Sequence, residues 1–177
     1  MQLTSVILEQ LDREAELTRR ALERVPKGKN DWKPHPKSMP LGQLAHMVAT
    51  MPSWISMIVK QDEIDIKPKD GARNGASRNL DSPEALVKAL DKAVTDARDA
   101  VSATTDGDLQ TPWRLLEGGK VAMENPRYSF IMDNFNHLAH HRGQLTVYLR
   151  MNDAQVPAIY GPSAGRSSLL RAKPRLG

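Results

Sequence analysis

The sequence predicts an all-α protein, a four-helix bundle with long crossover connections. Four segments repeat apolar residues on a helical period of 3.6, and Pro and Gly gather between them. Aromatic residues make up only 5% of the chain, which argues against an aromatic-rich β-sandwich or barrel. With 177 residues, 40% of them hydrophobic, the chain can bury one sizeable core and reads as a single compact domain.

The first helix spans Leu3 to Val25, where Leu3, Val6, Ile7, Leu11, Leu17, Ala21 and Leu22 share a stripe and Glu and Arg fill the other face. Pro26 and Gly28 stop it. A loop then runs to Pro40 through Pro34 and Pro36, carrying Trp32 and His35. Ser38 is read as the cap of the second helix, with Pro40 in its first turn and Leu41, Leu44, Ala45, Val48, Met51, Ile55 and Ile58 as its apolar face; Pro52 is read as a kink. Lys60 to Leu80 reads as a long polar connection bordering a site. Ser82-Pro83-Glu84 signals the start of the third helix, which carries Leu86, Val87, Leu90, Val94, Ala97 and Val101 and ends near Thr104. Thr111 to Val121 suits a small hairpin turning at Gly118-Gly119, between the third and fourth helices. The fourth helix covers Tyr128 to Met151.

The formal charge is +4 and the pI about 9.4, which invites a nucleic-acid reading. The excess is local. Gly161 to Gly177 holds Arg166, Arg171, Lys173 and Arg175 with no acid, so the remainder is formally neutral. The expected division is a body over residues 1–164 and a basic tail over 165–177, with no nucleic-acid partner, since no DNA or RNA motif is present. Charged residues recur too often for a membrane span, and the first residues do not read as a secretory signal, so a cytoplasmic location is expected. The absence of Cys removes disulfides, thiolate metal sites and Cys nucleophiles, leaving His, Asp and Glu as metal ligands.

Five histidines are present, three of them in the run NHLAHHRGQL. At helical spacing His137 and His141 lie about 40° apart and stack one turn from each other, whereas His140 diverges from His141 by about 100°. On the same stripe lie Phe130, Asp133, Asn134, Gln144 and Tyr148, a mixed polar set that a core face would not choose. His46 interrupts the apolar run LGQLAHMVATM. It reads either as a core His bonded to a hydroxyl or carbonyl, or, if the second and fourth helices face each other, as the third nitrogen of a set with His137 and His141. Three protein ligands leave a coordination position open, the catalytic pattern, and imidazole suits Zn²⁺, Ni²⁺ or Fe²⁺. Leu138 stands where an H-E-x-x-H protease would need its Glu, so that class is rejected. His35 reads as a loop residue and His140 as a surface or interface residue. Trp32, Trp54 and Trp113 read as core or dimer contacts, Arg142 as a solvated charge, and Gly143 as a small residue for close helix packing. Tyr148 is equally a core residue or a support for the ligands.

The segments DWKPHPKSMPLGQLAHMV and NHLAHHRGQLTVYLRMNDAQVPAIYGPSA resemble the two signature regions of the DinB-like, or YfiT-like, metalloenzymes, a family distinct from the DNA polymerase of similar name. The likeness runs in order from about Leu3 to Ala164. It implies a four-helix bundle with a long crossover, commonly a homodimer, with a divalent metal on three histidines that map onto His46, His137 and His141. Relatives include thiol S-transferases and a maleylpyruvate isomerase that use low-molecular-weight thiols such as bacillithiol or mycothiol. Where relatives often follow YGPSA with an acidic residue, this chain has Gly165-Arg166 and a basic tail.

The reading is therefore a metal-dependent enzyme in which the metal activates a thiol or water, with Asp133, Asn134, Gln144 and Tyr148 as candidates to support the ligands or touch substrate. The competing reading is a noncatalytic metal or small-molecule binding module, because Asp133 is the only carboxylate close to the pair in sequence.

Overall fold

The computed structural model describes residues 2–68 and 82–164. Their order is α1 (Leu3–Leu22), α2 (Leu41–Thr50), α3 (Ser53–Lys60), β1 (Glu63–Asp65), α4 (Pro83–Ser102), α5 (Asp106–Leu109), β2 (Pro112–Glu117), β3 (Lys120–Pro126) and α6 (Arg127–Met151). The protein is mostly helical with a small three-stranded sheet, so the all-α expectation is corrected. The hairpin is present, with Gly118 at φ 62° and Gly119 at φ 79°, the two positive values a tight hairpin turn needs. Unforeseen is β1, which pairs in parallel with β2 from Glu63 opposite Arg114 to Asp65 opposite Leu116. The Asp65 carboxylate also accepts from the Gly118 and Gly119 amides, at 3.0 and 2.6 Å, so β1 and the turn hold each other.

The second expected helix is two helices. Pro52 has no N–H to donate and clashes with the preceding turn, so α2 ends at Thr50 and α3 starts afresh at Ser53. Nor does Ser38 cap α2. The helix follows directly on Pro40 with no side-chain cap, and its free amides go to the preceding loop: Leu41 N–H to the Trp32 carbonyl and Gly42 N–H to the Asn30 carbonyl, both 2.9 Å. A Cβ at position 42 would stand 2.9 Å from Asn30 Cβ, so glycine is required for that close approach. Ser82 does cap α4, accepting from Ala85 N–H at 3.1 Å, with Pro83 in the first turn as expected. After α4 the chain makes the short α5, closed by a Thr105/Asp108 capping box, before the hairpin.

Two apolar clusters fill the interior. One joins the C-terminal end of α1, α2, the first half of α4 and the second half of α6; the other joins the start of α1, α3, the second half of α4, Trp113 and the first half of α6. The long helices α1, α4 and α6 thus run through both clusters, while α2 serves one and α3 the other. The break at Pro52 falls between them. Arg127, at the start of α6, reaches back to the carbonyl end of α3, donating to the Ile58 carbonyl at 2.6 Å and to the Gln61 carbonyl, and pairs with Asp62.

Among the described residues no helix is long and apolar enough to cross a membrane. The basic tail at 165–177 and the later part of the polar connection, 69–81, lie outside the described residues.

Candidate metal centre and adjoining pocket

His137 and His141 sit in the middle of α6, where the helix passes from one apolar cluster to the other. Their Nε2 atoms are 2.8 Å apart and the ring centroids 4.5 Å apart, so the two imidazoles face one point as the one-turn spacing predicts. Gln144 Oε1 lies 2.8 Å from His141 Nδ1. That amide oxygen can only accept, so Nδ1 donates and the Nε2 lone pair of His141 is directed at His137. Burial, and then the neighbouring imidazoles of His141 and His140, hold His137 below the ordinary histidine pKa and favour its neutral form. His140 packs against His141 with centroids 4.9 Å apart but diverges from the shared point, and it is exposed.

His46 is half-buried on α2, which packs against α6. Burial lowers its pKa. The Thr50 hydroxyl donates 2.9 Å to the His46 backbone carbonyl rather than to the ring, and no side-chain hydrogen bond to the imidazole is seen among the described residues. Among those residues no three His, Asp or Glu side chains stand close enough to hold a metal ion. The fold therefore pairs His137 with His141 and does not draw His46 into their cluster.

Beside His137 opens an apolar pocket of about 370 Å³ between α3, the sheet and α6. Trp54 and Ile58 come from α3, Trp113 and Leu115 from β2, and Phe130, Asp133, Asn134 and His137 from α6. Trp113 and Phe130 meet edge to face with centroids 4.6 Å apart. The break at Pro52 is what brings α3 here. It also leaves the Met51 carbonyl beside α6, where it accepts 3.3 Å from Asn134 Nδ2. Asn134 Oδ1 and Trp113 Nε1 are the buried side-chain polar atoms that find no partner among the described residues. Leaving such an atom unmet costs about 1–3 kcal/mol.

The other candidates fall elsewhere. Tyr148 packs edge to face on Trp32, centroids 5.4 Å apart, and donates to the Met39 carbonyl at 3.2 Å, so it anchors the loop before α2. Asp133 is exposed at the pocket wall. His35 lies exposed in the loop, its Nδ1 accepting from the Lys37 amide at 3.2 Å. Trp54 is 42% exposed at the pocket rim, so of its two readings, core or dimer contact, the core one is corrected.

Arg142 is corrected outright. It is 1% exposed and forms a buried ion pair with Glu14 at 2.7 Å, while also donating to Thr18 Oγ1 at 3.0 Å and Tyr160 Oη at 2.6 Å. Tyr160 Oη in turn donates to Glu14 at 2.8 Å. Sequence reasoning missed this group because its members lie at positions 14, 142 and 160; Glu14, an acid on the first helix's apolar side, was the available signal. Gly143 faces open space, so close packing is not its role. A roomier cavity of about 500 Å³ near Asp99, Asp108 and Arg127 contains no histidine, and its Arg127 is already engaged.

The fold and this arrangement define a class: a mostly helical protein with a facing histidine pair at the edge of an apolar pocket. The chain matches the DinB family over residues 1–174 and belongs to it, as the motifs of its sequence suggest. Its fold is similar to that of a DinB-like protein from Bacillus cereus ATCC 10987, with a TM-score of 0.65 and 24% identity over 87% of this chain and 95% of that one. It is also similar to YjoA, a DinB-like protein from Bacillus subtilis, with a TM-score of 0.63 and 15% identity over 92% of this chain and 99% of that one. No curated protein matches the chain.

Proposed function

We propose that the chain is a divalent-metal-dependent enzyme whose metal ligands are His46, His137 and His141, and whose reaction is thiol S-transfer or a related step on a thiol or water. The observation that carries this reading is the 2.8 Å approach of two imidazole Nε2 atoms, one of them oriented from behind by Gln144, beside a pocket. Two nitrogens bound 2.0–2.1 Å from one ion stand about 2.9–3.4 Å apart at right to tetrahedral angles, so a slight spreading of the pair fits the donors. His46, half-buried on α2 where that helix packs against α6, would supply the third nitrogen. Zn²⁺, Ni²⁺ and Fe²⁺ all suit imidazole. A bound ion of this kind supplies Lewis acidity that lowers the pKa of a thiol or water.

The chain's own side chains do the rest. Partial burial favours the neutral forms of His137 and His46, and the Gln144 oxygen holds the His141 proton on Nδ1. Asp133, one turn before His137 on the pocket wall, is the carboxylate placed to hold a proton. In this reading α1, the broken α2 and α3, α4 and α6 are the four rods of a bundle, the protein is a homodimer, and a low-molecular-weight thiol is its co-substrate.

A second reading, a noncatalytic metal or small-molecule binding module, is favoured by the exposure of Asp133 and by the lack of any carboxylate hydrogen-bonded to the pair among the described residues. Elemental analysis of untagged protein tests the site. One metal per chain is expected in the wild type and a loss in each of His46→Ala, His137→Ala and His141→Ala, with circular dichroism confirming that the variants fold. Stoichiometric metal surviving all three substitutions sinks the site. Conjugation assays with a panel of small thiols then separate the readings, since a loaded protein inert toward every thiol supports the binding module.

A further inference from the structure

We infer that Asn134 and Tyr148 are positioning residues of the metal centre: they tie α2 to α6 on either side of the three histidines and so hold His46 level with the His137 and His141 pair. This rests on the reading above, in which the three histidines share one ion. The apolar side chains that α2 and α6 place in one cluster, Leu44, Ala45, Val48 and Ala49 with Leu138, Leu145 and Leu149, attract without direction and leave the two helices free to slide. Hydrogen bonds do have direction. Among the described residues two side-chain hydrogen bonds join α6 to α2 and its approach. Asn134 Nδ2 donates 3.3 Å to the Met51 carbonyl at the end of α2, and Tyr148 Oη donates 3.2 Å to the Met39 carbonyl just before its start.

The end of α2 meets residue 134 and its approach meets residue 148, so the two helices run antiparallel. Both rise about 1.5 Å per residue. From the Met51 tie His46 lies five residues back along α2, and five residues on along α6 from Asn134 stands Ala139, midway between His137 and His141. His46 is thus level with the pair. That level is what the ties set, since the three rings do not form one cluster in this structure. Asn134 holds its place against the stability of the fold. It is 5% exposed and its Oδ1 finds no partner among the described residues, a liability that an apolar side chain of the same size removes. A residue that breaks a rule of packing in this way is expected where function requires it.

The test uses the full chain with Asn134→Leu and Tyr148→Phe, each of which removes one tie, keeps the bulk and, at 148, keeps the ring on Trp32. Competition with a chromophoric chelator should show Zn²⁺ bound about tenfold more weakly by each variant, as expected when a supporting group is lost. The melting temperature of Asn134→Leu should hold or rise. An asparagine that serves the fold alone gives the reverse, a lower melting temperature and an unchanged affinity. The loss should also run through His46. In a His46→Ala background, followed by calorimetry, Asn134→Leu should alter Zn²⁺ affinity by less than about twofold, whereas with Gln144→Ala, which acts on His141, the two losses should multiply. A third readout needs no metal. The chain has no Cys, so spin labels at Gln43→Cys on α2 and Val147→Cys on α6, both exposed, report one distance between the helices. In metal-free protein that distance should be narrow, and Asn134→Leu should broaden or shift it. Wild-type affinity in both variants, the same loss with and without His46, or an unmoved label distance overturns the proposal. Metal held by the wild type with unmoved affinity in the variants defeats this inference alone, whereas a wild-type chain that holds no metal defeats the metal reading and, with it, the role of the ties.

Discussion

At the scale of the residue, the one-turn spacing of His137 and His141 sets what the site can do, and Gln144 sets how. One imidazole cannot donate to the other from both Nε2 atoms, so the 2.8 Å contact requires at least one bare nitrogen, and the Gln144 oxygen on His141 Nδ1 makes it that of His141. Replacing Gln144 by Ala frees the ring to rotate and to carry its proton on Nε2. It should weaken Zn²⁺ affinity about 10–100-fold, the usual effect of losing a group that orients a ligand, while leaving the melting temperature of this exposed position unchanged. Competition with a chromophoric chelator measures it, and an unaltered affinity would show that Gln144 does not orient the ring. The histidine pair was legible in the sequence because helical periodicity alone brings residues four apart together. The unmet atoms of Trp113 and Asn134 were not, because whether a polar atom finds a partner depends on which carbonyls the rest of the fold brings to it.

At the scale of the element, helix ends are decided as much by distant residues as by neighbours. α1 has no side-chain cap of its own, and Asp106 from α5 provides one, accepting from the Leu3 amide at 2.8 Å and the Thr4 amide at 3.0 Å. The Thr4 amide, then that of Leu3, holds the Asp106 carboxyl below its ordinary value of 3.8. A carboxylate whose pKa is lowered by folding stabilises the fold fully above the unfolded value and loses that effect as pH falls through the lower folded value. Asp106→Ala should therefore lower the melting temperature at neutral pH, and the gap from wild type should close as pH drops below about 3.8. Thermal melts at pH 7 and pH 2.5 check this, and a gap independent of pH would assign the loss to packing instead. The same remoteness explains why Ser38 misled as a cap for α2: the amides it was to serve are taken by the Trp32 and Asn30 carbonyls. Pro52 was visible in the sequence, but whether it kinks or splits a helix depends on what each half packs against, and here the halves serve separate clusters.

At the scale of the whole molecule, the buried pair Glu14 and Arg142, with the hydroxyl of the exposed Tyr160 bonded to both, ties together the first helix, the last helix and the segment after it. Removing one partner strands the other charge away from water. Arg142→Met should cost about 3–5 kcal/mol in urea unfolding, and adding Glu14→Leu should recover most of that loss, because a buried pair replaced as a whole is often neutral. Two losses that simply add would show the charges to be uncoupled. Arg142 also follows His141 directly, so this anchor holds the histidine pair in register against α1. By itself the sequence determined where the long helices lie, the Gly118-Gly119 turn, the stacking of His137 on His141 and, through its motifs, the family, because periodicity, turn chemistry and i, i+4 geometry act over a few residues. Only the tertiary structure decided the parallel strand β1, the split at Pro52, the cap lent by Asp106, the burial of Arg142 and the pocket with its two unanswered atoms. These depend on groups far apart in the chain coming together, and for Arg142 and the two unmet atoms they do so where water cannot stand in for a missing partner.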